Sequence, residues 1–149
     1  MNLDLAFSIF MTFGDIAKYQ DKRLLAALSG INVNPAQYIY LFTICENREM
    51  NVSELAQVLH VENSTASVTI KRMETAGLVT RKVDKYDSRM MRVSATALGL
   101  EQFNLAKLII TDYIGQIFGG FSNDEINDFY HTLTKVCENI QHYSPKKLT

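Results

Sequence analysis

From Asn51 to Gly99 the chain reads NVSELAQVLHVENSTASVTIKRMETAGLVTRKVDKYDSRMMRVSATALG. This is two short helical runs joined by a tight turn, then two β-prone runs around a charged tip. The first helix is expected from Ser53 to about Leu59, with Ser53 as its N-cap and Leu55, Ala56 and Leu59 as its apolar stripe. Val61, in the HVEN turn, is placed to plug the space between the two helices. The second helix is expected to start at Asn63 or Ser64, either of which can cap it, and to end at Ala76-Gly77 with Gly77 at C′. Ala66, Ile70 and Met73 share one face of it at i, i+4, i+7 spacing and should pack on the first helix.

That packing directs Ser64, Thr65, Ser67, Val68, Thr69, Lys71 and Arg72 outward. The face is small, hydroxyl-rich and cationic, which suits close approach to a DNA backbone; a merely solvated helix has the same composition. Charge distribution favours the first reading. Between Ser64 and Arg92 there are seven basic residues (Lys71, Arg72, Arg81, Lys82, Lys85, Arg89, Arg92) against Glu74, Asp84 and Asp87, a local balance of +4 in a chain that carries −1 overall. Positive charge is segregated onto one helix and one hairpin, as electrostatic docking on a polyanion requires.

This segment resembles the multiple antibiotic resistance regulator (MarR) family of winged helix-turn-helix transcription factors. The residues that carry the resemblance are SELAQ, the run STASVTIKRMETAGLVTR, the wing signature D-x-x-D-x-R at Asp84 to Arg89, and the T-x-x-G of Thr96 to Gly99. The resemblance implies a mostly α, α+β winged-helix fold over residues 1–149. Residues 34–99 would form the winged helix-turn-helix, with a recognition helix over about 64–76 and a wing over about 78–94. Residues 1–33 and 100–145 would supply dimerisation helices. It also implies that Asp87 positions Arg89 through an ion pair.

The length allows one domain with a real core plus oligomerisation elements, and 47% hydrophobic residues exclude a disordered chain. Cys45 and Cys137 are the only cysteines, and no Cys/His spacing suggests a metal site or a cofactor. The N-terminus has no basic n-region, and the longest uncharged run, Leu24 to Cys45, is broken by Gly30, Asn32, Asn34 and Pro35. We therefore expect no secretory signal, no membrane span and a cytoplasmic protein.

Outside the basic segment, four amphipathic helices are expected. Residues 3 to about 28 carry Leu3, Ala6, Phe7, Phe10, Phe13 and Ala17 at helical spacing, with Gly14 and the polar Tyr19–Lys22 as possible breaks and Gly30 as C′ residue. Asn34-Pro35-Ala36-Gln37 restarts a helix that runs to about Asn47 and offers Tyr38, Leu41, Phe42 and Cys45 for burial. Met50-Asn51-Val52 is a candidate third strand. Thr96 caps a long helix to about Phe118, and Gly119-Gly120 breaks it. Ser122 to Glu125 matches the capping box of a last helix carrying Ile126, Phe129, Leu133 and Ile140. Apolar terminal helices flanking a small winged core call for a second copy, so we expect a homodimer.

In such a dimer the recognition helices would enter successive major grooves of a pseudo-palindromic double-stranded DNA site. Lys71 and Arg72 would bind phosphate, Ser64, Thr65, Ser67 and Thr69 phosphate or base edges, and Val68 only a thymine methyl. Arg81 and Lys85 add to the basic face, and Arg89 would reach the flanking minor groove. The family resemblance further implies repression released by a small phenolic or aromatic effector, for which Phe10, Phe13, Tyr38 and Phe42 are candidate lining residues; ordinary core packing explains the same residues. A winged-helix protein-interaction module and a thiol-based redox regulator are the rival readings. Nothing suggests an enzyme: there is no phosphate-binding Gly-rich loop, H-E-x-x-H or G-x-S-x-G.

Overall fold

Capping chemistry at Asn34, Thr96 and Ser122 starts helices where the sequence places them. The structure, a computed structural model, describes residues 1–84, 87 and 90–145. In chain order these form α1 (Leu3–Ala27), α2 (Pro35–Asn47), β1 (Met50–Asn51), α3 (Val52–Val58), α4 (Asn63–Thr75), β2 (Val79–Val83), β3 (Met91–Ala95), α5 (Ala97–Ile117) and α6 (Asn123–Gln141). Asn34 caps α2 with Gln37 returning the bond and Pro35 at the first position, as expected. Ser122 and Glu125 do the same for α6. For α3 the expectation fails by two residues. Asn51, not Ser53, is the N-cap: its carboxamide accepts the Glu54 N–H while Glu54 accepts the Asn51 N–H, both at 2.8 Å. Asn51 wins because it is also the last residue of β1, so strand end and helix start share one residue.

The chain divides into two compact units, residues 1–111 and 112–149. In the first, the core gathers Tyr40, Leu41 and Ile44 of α2, Leu55 and Ala56 of α3, Ala66, Ile70 and Met73 of α4, Leu78, Val79 and Val93 of the sheet region, and Phe103 of α5. The inward face foreseen for α4 is thus buried as expected. Of the stripe expected on α2, Leu41 is fully buried and Tyr38 and Cys45 are half-buried against the core, but Phe42 is exposed, and Tyr40, Thr43 and Ile44 also turn inward. Val61 stays 36% exposed and does not fill the interhelical space; only its backbone joins in, donating to the Ala56 carbonyl.

The three strands form an antiparallel sheet of order β1-β3-β2. Val79 faces Ala95 and Val83 faces Met91 across β2 and β3, while the short β1 pairs Met50 with Val93. The candidate third strand is therefore present, and the fold is the mostly helical winged helix expected. Arg48 makes the reversal that brings the chain from α2 into β1. It sits at φ +66 in a three-residue turn closed by Glu49 N–H on the Asn47 carbonyl, a strained conformation for a non-glycine residue.

α1 is one uninterrupted helix, so neither Gly14 nor the polar Tyr19–Lys22 stretch breaks it; those residues simply face outward. Its end also differs from expectation. Leu28 is the C-cap, and Gly30 is not among the positive-φ glycines. Gly77 is, at φ +73, and closes α4 in the left-handed conformation its position requires. In the second unit, Gly120 at φ +94 reverses the chain before Ser122, and α6 carries no fully buried side chain.

Candidate nucleic-acid interface

The outer face of α4 is built by subtraction. Once Ala66, Ile70 and Met73 are buried, Ser64, Thr65, Ser67, Val68, Lys71 and Arg72 are left exposed and Thr69 half-buried. The Thr69 hydroxyl donates to the Thr65 carbonyl at 3.0 Å, so it is spent inside the helix. Among the described residues the hydroxyls of Ser64, Thr65 and Ser67 make no hydrogen bond within the protein and remain available to an outside acceptor.

The start of α4 departs from expectation in a way that serves the same end. Its N-cap is Glu62, which makes no side-chain capping bond; Asn63 and Ser64 lie inside the helix. The first-turn N–H groups of Asn63, Ser64 and Thr65 therefore point outward at the positive end of the helix dipole. Such a terminus accepts a phosphate oxygen well.

Charge is distributed less evenly than the sequence count suggests. Arg81, expected at the interface, is instead held by Glu74: its Nε donates to Glu74 Oε2 at 2.9 Å and its Nη2 to the same oxygen. That pair ties β2 to the last turn of α4, and hydrogen bonding from Arg81 lowers the Glu74 carboxyl below the usual carboxylate range. Arg92 is likewise engaged. Its Nε donates to Asp84 Oδ2 at 2.6 Å and its Nη1 to Glu54 Oε2 at 3.2 Å. Asp84, whose side chain is 8% exposed, also accepts the Asp87 N–H at 3.0 Å. The cap of α3, the strand β3 and the base of the wing are thereby joined through one guanidinium. Sequence spacing gave no sign of this, since Glu54 and Arg92 are 38 residues apart.

Among the described residues, Lys71, Arg72 and Lys82 are the members of the basic set with no carboxylate within 4 Å. Lys82, a cation of the basic segment outside the expected interface set, lies on β2 opposite Arg92. Lys85 and Arg89 lie outside the described residues, as does the expected Asp87–Arg89 pair. Val68, Lys71, Arg72 and Thr75 line one shallow groove along the outer face of α4.

The four aromatic residues considered for an effector pocket separate into two groups. Tyr38 stacks on Phe103 with ring centroids 5.7 Å apart, and Phe42 lies 6.3 Å from each of them. Lys107 places its ammonium 5.9 Å from the Phe103 ring. Phe10 is 68% exposed on α1 and Phe13 half-buried, and among the described residues neither joins that cluster. Burial raises the Tyr38 hydroxyl pKa.

The thiols differ as well. Cys137 is exposed, while Cys45 is half-buried. Burial, and secondarily the Glu46 carboxylate, raises the Cys45 thiol pKa, which lowers its thiolate fraction at neutral pH. Cys45 is therefore expected to alkylate with iodoacetamide more slowly in the folded protein than in denaturant; equal rates by mass spectrometry would refute this. Among the described residues no group of His, Cys, Asp or Glu is placed to hold a metal ion, and no helix is long and apolar enough to cross a membrane.

Residues 33–91 match the MarR family. The chain is 31% identical over 115 residues to the organic hydroperoxide resistance transcriptional regulator of Bacillus subtilis, covering 77% of this chain and 73% of that protein. Among solved structures it resembles an uncharacterized SlyA-like transcription regulator from Listeria monocytogenes, at 30% identity and TM-score 0.77 over 87% of each chain. It shares its fold with a mutant MarR from E. coli complexed with operator DNA, at 20% identity and TM-score 0.81, over 91% of this chain and 98% of the other.

Proposed function

The chain belongs to the MarR family, whose members are transcriptional regulators and not enzymes, and on that premise we propose that it binds double-stranded DNA in a sequence-specific manner through α4 and the wing. The observation that carries this reading is the outer face of α4. It joins, on one surface, hydroxyls and the cations Lys71 and Arg72 that have no partner among the described residues and a helix N-terminus without a side-chain cap. The occurrence of the same fold on operator DNA in E. coli MarR supports it.

The DNA-binding species in this proposal is a homodimer on a pseudo-palindromic site. Exposed apolar side chains on α1 (Phe7, Phe10, Met11) and, separately, on α6 (Phe129, Ile140) support a second copy as their cover. A monomer by sedimentation at micromolar concentration would exclude it. Regulation is proposed as repression relieved by a small aromatic or phenolic molecule. The Tyr38, Phe42 and Phe103 cluster supports a site for one, and loss of DNA binding on adding such a compound tests it.

Titration against duplex DNA from upstream of the protein's own gene, across several salt concentrations, tests the main reading. Binding that survives nonspecific competitor, with log affinity falling linearly in log salt, is the expected result. No binding at low salt would move the assignment to a protein-interaction module. Replacing Arg89 by alanine is expected to weaken binding by about 1–3 kcal/mol, the range for a well-placed groove arginine, without unfolding the protein. Unchanged affinity would remove the wing from the interface.

A further inference from the structure

The one apolar side chain at the centre of the α4 outer face is Val68. It is 50% exposed and lies on the side of the helix opposite the buried Ala66, Ile70 and Met73. Lys71 and Arg72 follow it at i+3 and i+4, so both cations rise from the same face one turn along, and the groove they line with Thr75 has the Val68 isopropyl group in its wall. Neither cation has a carboxylate within 4 Å among the described residues. A β-branched residue exposed on a helix gains nothing from helix propensity, and an isopropyl group can neither donate to a phosphate nor accept from a base. In the major groove only one feature of a base edge complements it, the C5 methyl of a pyrimidine.

Resting on the DNA-binding reading above, we infer that Val68 is a specificity-determining residue that reads the C5 methyl group of a pyrimidine in the major groove, while Lys71 and Arg72 hold the adjacent phosphates. In unmodified DNA that base is thymine; 5-methylcytosine presents the same methyl. Each half-site recognised by this protein then contains a required thymine beneath the middle of α4. Its replacement by cytosine costs affinity through loss of an apolar contact and not through loss of a hydrogen bond.

The test uses the full chain and a duplex selected by it from a random pool. Every thymine of that duplex is replaced singly by deoxyuridine, which removes the methyl and leaves every hydrogen-bonding group in place. One thymine in each half-site is expected to lose about fourfold in affinity for the wild-type protein, the value of one buried methyl-sized group. For Val68→Ala, whose thermal denaturation should match wild type because the side chain is exposed, deoxyuridine at that position should change affinity by less than about twofold. Placing 5-methylcytosine there should recover more affinity than cytosine for wild type only. If no position shows a deoxyuridine penalty that Val68→Ala abolishes, Val68 does not read a methyl and the inference is overturned while DNA binding stands. If the pool yields no duplex held against competitor, the DNA-binding reading itself fails, and this one with it.

Discussion

Replacing Gly99 by alanine is expected to destabilise the protein by about 3 kcal/mol or more, lowering Tm by about 10 °C for a chain of this size. The sign is opposite to the usual one. An alanine inside a helix is normally favoured over glycine by up to about 1 kcal/mol. At Gly99 an added Cβ would lie 1.9 Å from the Leu78 carbonyl oxygen and 2.9 Å from its carbon, both backbone atoms. Neither side can yield cheaply. The Leu78 side chain is fully buried, and its carbonyl accepts the Thr96 N–H at 3.1 Å. The Thr96 hydroxyl donates to the Gly77 carbonyl at 2.5 Å and accepts the Gly99 N–H at 2.9 Å. Moving α5 away would break this crossing; moving Leu78 would pull a core side chain out. Gly115 on the same helix is the control, since beyond its own helix backbone nothing among the described residues lies within 4 Å of its added Cβ. Gly115→Ala should be neutral or slightly stabilising. Equal unfolding midpoints for the two variants would show that the close approach at Gly99 is not a constraint.

Removing Lys71 and Arg72 together is expected to reduce DNA affinity by at least about a hundredfold near physiological salt, with little change in stability. Both side chains are exposed, and neither holds a carboxylate within 4 Å among the described residues, so the folded protein loses no pairing. What is lost is counterion release. Each phosphate contact contributes close to one power of salt concentration, and a dimer presents each cation twice, so the slope of log affinity against log salt should become shallower by about 3 to 4. Arg81→Ala should behave differently, because Arg81 is already occupied by Glu74. Its loss should change the salt slope little and act through the seat of β2 on α4. A double variant of Lys71 and Arg72 with an unaltered salt slope would place the phosphate contacts elsewhere on the protein.

Much of this fold was legible in residues 34–99 because the determinants there are local. The capping box at Asn34 and Gln37, the left-handed Gly77, and the Ala66, Ile70 and Met73 face each depend on residues no more than a turn or two apart. The outward face of α4 followed by exclusion from the same periodicity. Which cations on it are free did not follow, since that depends on partners across the fold. Arg81 meets Glu74 only because β2 returns along α4, and Arg92 meets Glu54 only because β3 lies between β1 and β2. Periodicity placed only part of the buried side of α2: Leu41 is buried as expected, but packing against α3 and β3 also selects Tyr40 and Ile44 and leaves Phe42 out. The sequence by itself determined which runs are helical, the Gly77 turn that ends α4 and the basic segment; the tertiary structure decided which charges are neutralised and which face outward. The reason is that hydrogen-bonded caps and helical periodicity act within one element, whereas an ion pair exists only where the fold brings two elements within about 4 Å.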